Sequence, residues 1–136
     1  MQRGYVTALL LTLAVPAAPG DASKGRRPRL DLRASPRVAF TPASVILTAE
    51  LTGGDELEEF YCPTLDWEWG DGGRSETASD CEPFESKELF ERRFFAYHDY
   101  RRPGQYNVKL TLRRSQRAIA VATINLTLHA SVGAPD

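Results

Sequence analysis

Apolar and polar residues alternate with a period of two along several short stretches of this chain, the signature of β-strands with one face buried. In SVILTAEL, residues 44–51, Val45, Leu47, Ala49 and Leu51 fall on one side, and Ile46, Thr48 and Glu50 on the other. In QYNVKLTLR, residues 105–113, Tyr106, Val108, Leu110 and Leu112 alternate with Asn107, Lys109 and Thr111. AIAVATINLTLH, residues 118–129, repeats the pattern more loosely, with Ile124, Leu126 and Leu128 facing in. The polar run Arg114-Ser115-Gln116-Arg117 between the last two predicts a turn, and so a hairpin. Shorter strands are expected in RVAF (37–40), LDWEW (65–69) and RRFFAY (92–97). No stretch carries a long helical face, although Glu85 to Glu91 has the composition of a short helical turn. Short strands at turn-punctuated spacing, without helices to cover a parallel sheet, predict an all-β antiparallel sandwich.

Length and leader set the limits of that sandwich. The 136 residues suffice for one domain. Residues 1–22 read as a secretory signal: Arg3 precedes an apolar stretch from Val6 to Val15, and the small-residue region Pro16-Ala17-Ala18-Pro19-Gly20-Asp21-Ala22 follows. The apolar stretch is too short for a bilayer span, which needs roughly 20 residues as a helix. Cleavage after Ala17 or after Ala22 suits a small-residue site, and no cysteine follows closely enough for lipid modification. Residues 23–36, rich in Arg, Pro and Gly, read as a basic flexible tether or an arm for an anionic envelope surface. The domain is expected at 37–130, with a disordered tail at 131–136. Export also explains the two cysteines, since in an oxidising compartment Cys62 and Cys81 have one possible pairing and are expected to form a disulfide. In the chain-entropy picture, closing that loop stabilises the fold by about 3 kcal/mol.

Charge is sorted along the chain. Residues 23–54 carry six basic and two acidic side chains, 55–91 carry two and thirteen, and 92–136 carry eight and two. Either the acidic middle lies against basic strands, or it forms a face for a cation or a basic partner. The net charge of −1 and the leader argue against nucleic acid.

WEWGDGG, residues 67–73, looks at first like the rim of a sugar-binding platform. Trp67 and Trp69, two apart on a strand, share a face, and two exposed indoles are costly, so both are assigned to the core. Asp71-Gly72-Gly73 then supplies the turn that ends the strand. Taken with HDYRRPGQYNVKLTL, residues 98–112, this stretch resembles the PKD domain, an immunoglobulin-like module of secreted and surface proteins. The family pattern is roughly W-D-F-G-D-G, then H-x-Y, then P-G-x-Y-x-V-x-L. Trp67, Trp69, Gly70, Asp71 and Gly72 meet the first part, with Glu68 and Trp69 replacing the usual Asp and Phe; His98, Tyr100, Pro103, Gly104, Tyr106, Val108 and Leu110 meet the rest. The resemblance covers residues 34–129 and implies an immunoglobulin-like β-sandwich of about seven strands with a structural, non-catalytic His98. Pro103-Gly104 is expected to form a turn with a left-handed glycine, and Tyr106 to act as a corner tyrosine bonded to backbone upstream.

The departures from that pattern bear on function. The segment between the two motifs is long and carries Cys81, several carboxylates, and Phe84, Phe90, Phe94 and Phe95. Long loops on a rigid scaffold are where binding tends to reside, so Phe84, Leu89 and Phe90 form the candidate binding loop. Catalysis has little support: the only histidines are His98 and His129, too few for a zinc or copper site, and the acidic residues are dense enough for carboxylate pairs to arise by chance. The expected role is an exported, non-enzymatic module that binds an extracytoplasmic protein or glycan, without a cofactor. The alternative is a calcium-binding structural module, some PKD-like domains being calcium binders, with oxygens from Asp66, Asp71, Asp80 and Glu82. Asn125-Leu126-Thr127 matches a glycosylation sequon but falls inside an expected strand, and is read as a chance match.

Overall fold

The structure, a computed structural model, describes residues 14–15, 26–55, 58–85 and 91–132. Eight strands are found among them: β1 (Arg29–Ser35), β2 (Val38–Phe40), β3 (Ala43–Thr52), β4 (Thr64–Glu68), β5 (Arg74–Thr77), β6 (Arg93–Tyr100), β7 (Gly104–Arg114) and β8 (Arg117–His129), with a short 3-10 helix at Glu58–Phe60. They form two packed sheets, one of order β1-β3-β6 and one of order β2-β8-β7-β4-β5. All pairs are antiparallel except β2 with β8. The all-β sandwich expected from the alternation is therefore the fold observed. The signal segment apart from residues 14–15 and the tail from 133 lie outside the described residues, and so do Leu89, Phe90 and most of the stretch expected to be helical. Among the described residues no helix is long and apolar enough to cross a membrane.

The long strands bury the sides that their patterns assign. Val45, Leu47 and Ala49 of β3 meet Val108, Leu110 and Leu112 of β7 and Leu126 of β8, all with no exposed surface. At Arg114–Arg117 the β7–β8 hairpin turns through Ser115 and Gln116, both at positive φ (49° and 64°), the backbone of a tight two-residue turn whose twist matches that of the strands.

Two readings of the sequence need correction. Residues 29–35 are not a tether: they form β1, paired along its length with β3 from Arg29↔Thr52 to Ser35↔Ile46. RLDLRAS does alternate, with Leu30 buried and Leu32 and Ala34 packed against the core, while Arg29, Asp31 and Arg33 face solvent. Burial of that apolar side outweighs the charge and the flanking prolines. The chain then changes sheets across Pro36, so β1 and β2 close one side of the sandwich. The second correction is β5, in a segment read as loop. Its four residues are all exposed and are held by pairing to β4, from Leu65↔Thr77 to Glu68↔Arg74, so no burial pattern marks them.

Cys62 and Cys81 form the expected disulfide, with Cα atoms 6.2 Å apart. It fastens the segment after β5 beside the start of β4. The Tyr61 hydroxyl donates to the Glu82 carbonyl at 2.7 Å, and the Phe84 ring lies 5.4 Å from that of Tyr61. Part of the charge sorting is resolved within the chain: Arg27 pairs with Glu59, Lys109 with Glu68, and both Arg74 and Arg113 with Asp66.

Trp67 and Trp69 are core residues, 2% and 3% exposed, with parallel rings 5.1 Å apart. Trp67→Ala is expected to lower the unfolding free energy by about 3 to 5 kcal/mol, as for other buried aromatic truncations. Urea unfolding of the oxidised chain measures this, and an unchanged midpoint would refute the core assignment.

Candidate functional site

The motif residues converge on one end of the sandwich. β4 delivers Trp69 and the turn after it, while β6 of the opposite sheet delivers His98 and Tyr100. The His98 ring stacks on Trp69 at 4.3 Å and 1°, and its Nε2 lies 2.7 Å from an Asp71 carboxylate oxygen. The other Asp71 oxygen accepts from the Gly73 N–H at 2.8 Å, which closes the turn. The Tyr100 hydroxyl, buried, donates to the Trp69 carbonyl at 2.7 Å, and burial pushes its pKa above the ordinary phenol range, so it stays a donor. The Trp69 indole donates to Ser75 Oγ at 2.9 Å. Gly70, at φ 82°, has no room for a side chain: a Cβ would sit 2.7 Å from the Asn107 carbonyl oxygen. Gly72 also takes positive φ, 91°.

Tyr106 acts as the corner tyrosine, its hydroxyl donating to the Arg102 carbonyl. Pro103-Gly104 differs from expectation. Gly104 is not a left-handed turn residue; it opens β7 at φ 153°, paired with Leu128, and a Cβ there would lie 3.7 Å from the Tyr106 ring. The need for glycine comes from this positive φ, which residues with a Cβ rarely adopt, and not from crowding, since the Tyr106 ring would be at ordinary contact distance.

The four carboxylates of the calcium alternative are not brought together. Asp66 is buried and accepts from Arg74 at 2.8 Å and Arg113 at 3.2 Å. Asp71 is held by His98 and Gly73, and Asp80 and Glu82 lie in the exposed segment around Cys81. Among the described residues no three His, Cys, Asp or Glu side chains cluster as metal ligands would. Of the candidate loop, Phe84 is partly buried against Tyr61, while Leu89 and Phe90 lie outside the described residues.

Exposed apolar side chains lie elsewhere: Val38, Phe40 and Val121 on the five-stranded sheet, and a group on the outer face of the three-stranded sheet. Phe95 and Tyr97 of β6 are 59% and 73% exposed, and Ile46, the cross-strand partner of Tyr97, is 40% exposed. Among the described residues β6 is also an edge strand, its backbone paired only on the β3 side. Between this edge and β5 of the other sheet runs a groove lined by Leu65, Thr77, Phe94 and Phe95. The period-two pattern marks RRFFAY as a strand, but it does not say which strands end a sheet. That depends on long-range pairing.

Asp71 also sets an acid limit. Partial burial pushes its pKa up, but the hydrogen bonds from His98 and the Gly73 N–H outweigh this and hold it below the usual carboxylate range. A depressed folded-state pKa lends stability above the unfolded value, near 3.9, that is lost as pH falls through the folded value. The melting temperature is therefore expected to drop as pH falls below about 4, and less steeply in Asp71→Asn. Equal acid slopes in melts of the two proteins would contradict this.

No family model and no curated protein matches the chain. Among solved structures, it is similar to the PKD domain of an M14-like peptidase from Thermoplasmatales archaeon SCGC AB-540-F20. The two are 16% identical, with a TM-score of 0.52, over 76% of this chain and 97% of that one. The fold is an immunoglobulin-like β-sandwich of the PKD type, as the tryptophan and tyrosine motifs imply.

Proposed function

We propose that this chain is an exported, non-catalytic PKD-like module that binds a protein through the outer face and open edge of its three-stranded sheet. The carrying observation is Phe95 and Tyr97, two aromatic side chains facing solvent on a strand that ends its sheet. Soluble domains usually blunt such edges or cover them, so an aromatic edge marks an interaction surface. A protein is favoured over a glycan because the edge also offers main-chain donors and acceptors, which an extended polypeptide matches. The disulfide suits an oxidising compartment.

The non-catalytic part of the reading is supported by the engagement of both histidines. His98 is stacked on Trp69 and bonded to Asp71, and the His129 ring packs 5.9 Å from that of Phe40. Calcium is left out of the proposal because Asp66, the most buried of its suggested ligands, is already neutralised by two guanidiniums.

The test uses the immobilised oxidised chain against an extracytoplasmic extract of its host at low and high salt. The wild type is expected to retain one or a few proteins at high salt, and Phe95→Ser/Tyr97→Ser to lose them while melting normally. Equal retention by both would overturn the proposed surface. Separately, millimolar calcium is expected to leave the melting temperature unchanged. A calcium-dependent rise abolished by a chelator would reinstate the cation reading.

A further inference from the structure

We propose that the occupant of the β6 edge is a second copy of this chain, joined antiparallel about a two-fold axis at Ala96; this rests on the reading of that edge as an interaction surface. The phase of the ladder shows which backbone groups are free. The Leu51 N–H donates to the Arg92 carbonyl at 2.7 Å, and the β3–β6 register continues without a shift to Ala43↔Tyr100. In an antiparallel ladder, hydrogen-bonded and non-bonded pairs alternate. The even-numbered residues of β6 therefore bond to β3, and Arg93, Phe95, Tyr97 and Asp99 direct their N–H and C=O groups to the open side. Their side chains also share the outer face, opposite buried Phe94 and Tyr100. Every free group of the edge thus belongs to one set of four residues, charged at its ends and aromatic in its middle.

That set is self-complementary in one register. Centred on Ala96, two antiparallel copies place Arg93 opposite Asp99 at both ends and Phe95 opposite Tyr97 on both sides of the axis, all as hydrogen-bonded pairs. The neighbouring registers put like charges together. Centring on Phe95 sets Glu91 against Asp99, and centring on Tyr97 sets Arg93 against Arg101. Like charges directly opposite are destabilising, whereas opposite charges and aromatic pairs are favourable. The contact is isologous and gives a closed dimer with one continuous six-stranded sheet. Within each copy Arg93 reaches Glu50 at 3.3 Å and Asp99 accepts from Ser44 at 2.5 Å, so both side chains are already held over the outer face. Exposed ion pairs contribute little energy, so they select the register while the aromatic contacts and the backbone ladder supply the attraction.

Sedimentation of the oxidised full chain tests this at concentrations on the order of 100 μM, suited to a small, weak interface. The wild type is expected to sediment as a dimer. Arg93→Glu and Asp99→Arg are each expected to sediment as monomers, since each sets like charges opposite at both ends. An equimolar mixture of the two is expected to recover the dimer mass, because the mixed pair restores opposite charges at both sites. Thermal melts establish that each variant is folded. A monomeric wild type, or folded variants that stay monomeric on mixing, would overturn the inference. A wild type that is monomeric yet retains another protein through the Phe95 and Tyr97 edge would sink the second copy alone. A wild type that neither dimerises nor retains another protein would sink the interaction reading as well.

Discussion

The hydrogen bond from the Tyr100 hydroxyl to the Trp69 carbonyl joins the two sheets at the point where the chain would otherwise splay open. Tyr100 ends β6 in one sheet, and Trp69 follows β4 in the other. His98, two residues earlier on β6, stacks on the same indole and reaches Asp71 beyond the turn. One tyrosine, one histidine and one aspartate thereby fix the angle at which the tryptophan turn meets the opposite sheet. The close approach of Gly70 to Asn107 seats that turn against β7. A buried hydroxyl left without its acceptor would cost the desolvation of that group, roughly 1 to 3 kcal/mol, so the contact is demanding as well as favourable.

The same arrangement explains why the most chemically suggestive residues of the sequence do structural work. Trp67, Trp69, His98, Asp71 and Tyr100 have the composition of a binding or catalytic cluster, yet His98 and Asp71 bond to each other, Tyr100 to the Trp69 carbonyl and the Trp69 indole to Ser75, and the rings are packed face to face or edge on. Asp66 behaves alike: a buried carboxylate must be paired, and Arg74 and Arg113 pair it. Phe95 and Tyr97 are exposed on the outer face of β6, where no residue of the family motif except His98 and Tyr100 shares the strand and both point the other way.

Legibility followed burial. β3, β7, β8 and the tryptophan strand could be read from alternation because one side of each is sealed in the core, and the hairpin because a polar run interrupted two alternating ones. β5 could not, since Arg74 to Thr77 bury nothing and exist as a strand only through β4. β1 was obscured by arginines and prolines around three inward side chains, Leu30, Leu32 and Ala34. The partners of Asp66 were hidden for another reason: Arg113 is 47 residues away, and only the β4–β7 pairing brings it near. Which strand ends a sheet is likewise a property of pairing, so the edge at β6 had no local signature. Phe84 looked available in the sequence because nothing there announced that Tyr61 would cover it.

The pairing of β2 with β8 has a mechanical side. These two strands run parallel, with Val38 beside Thr127 and Phe40 beside His129, and main-chain bonds cross between them from Thr127 to Arg37 and from Thr41 to His129. β2 lies near the entrance of the chain into the sandwich and β8 at its exit. Tension along the polypeptide slides such a parallel pair lengthwise, loading its cross-bonds together rather than opening them one at a time. Resistance to pulling is governed by the barrier to unfolding rather than by equilibrium stability. The short β2 strand, which adds little to the core, thus contributes cross-bonds that such a load meets together.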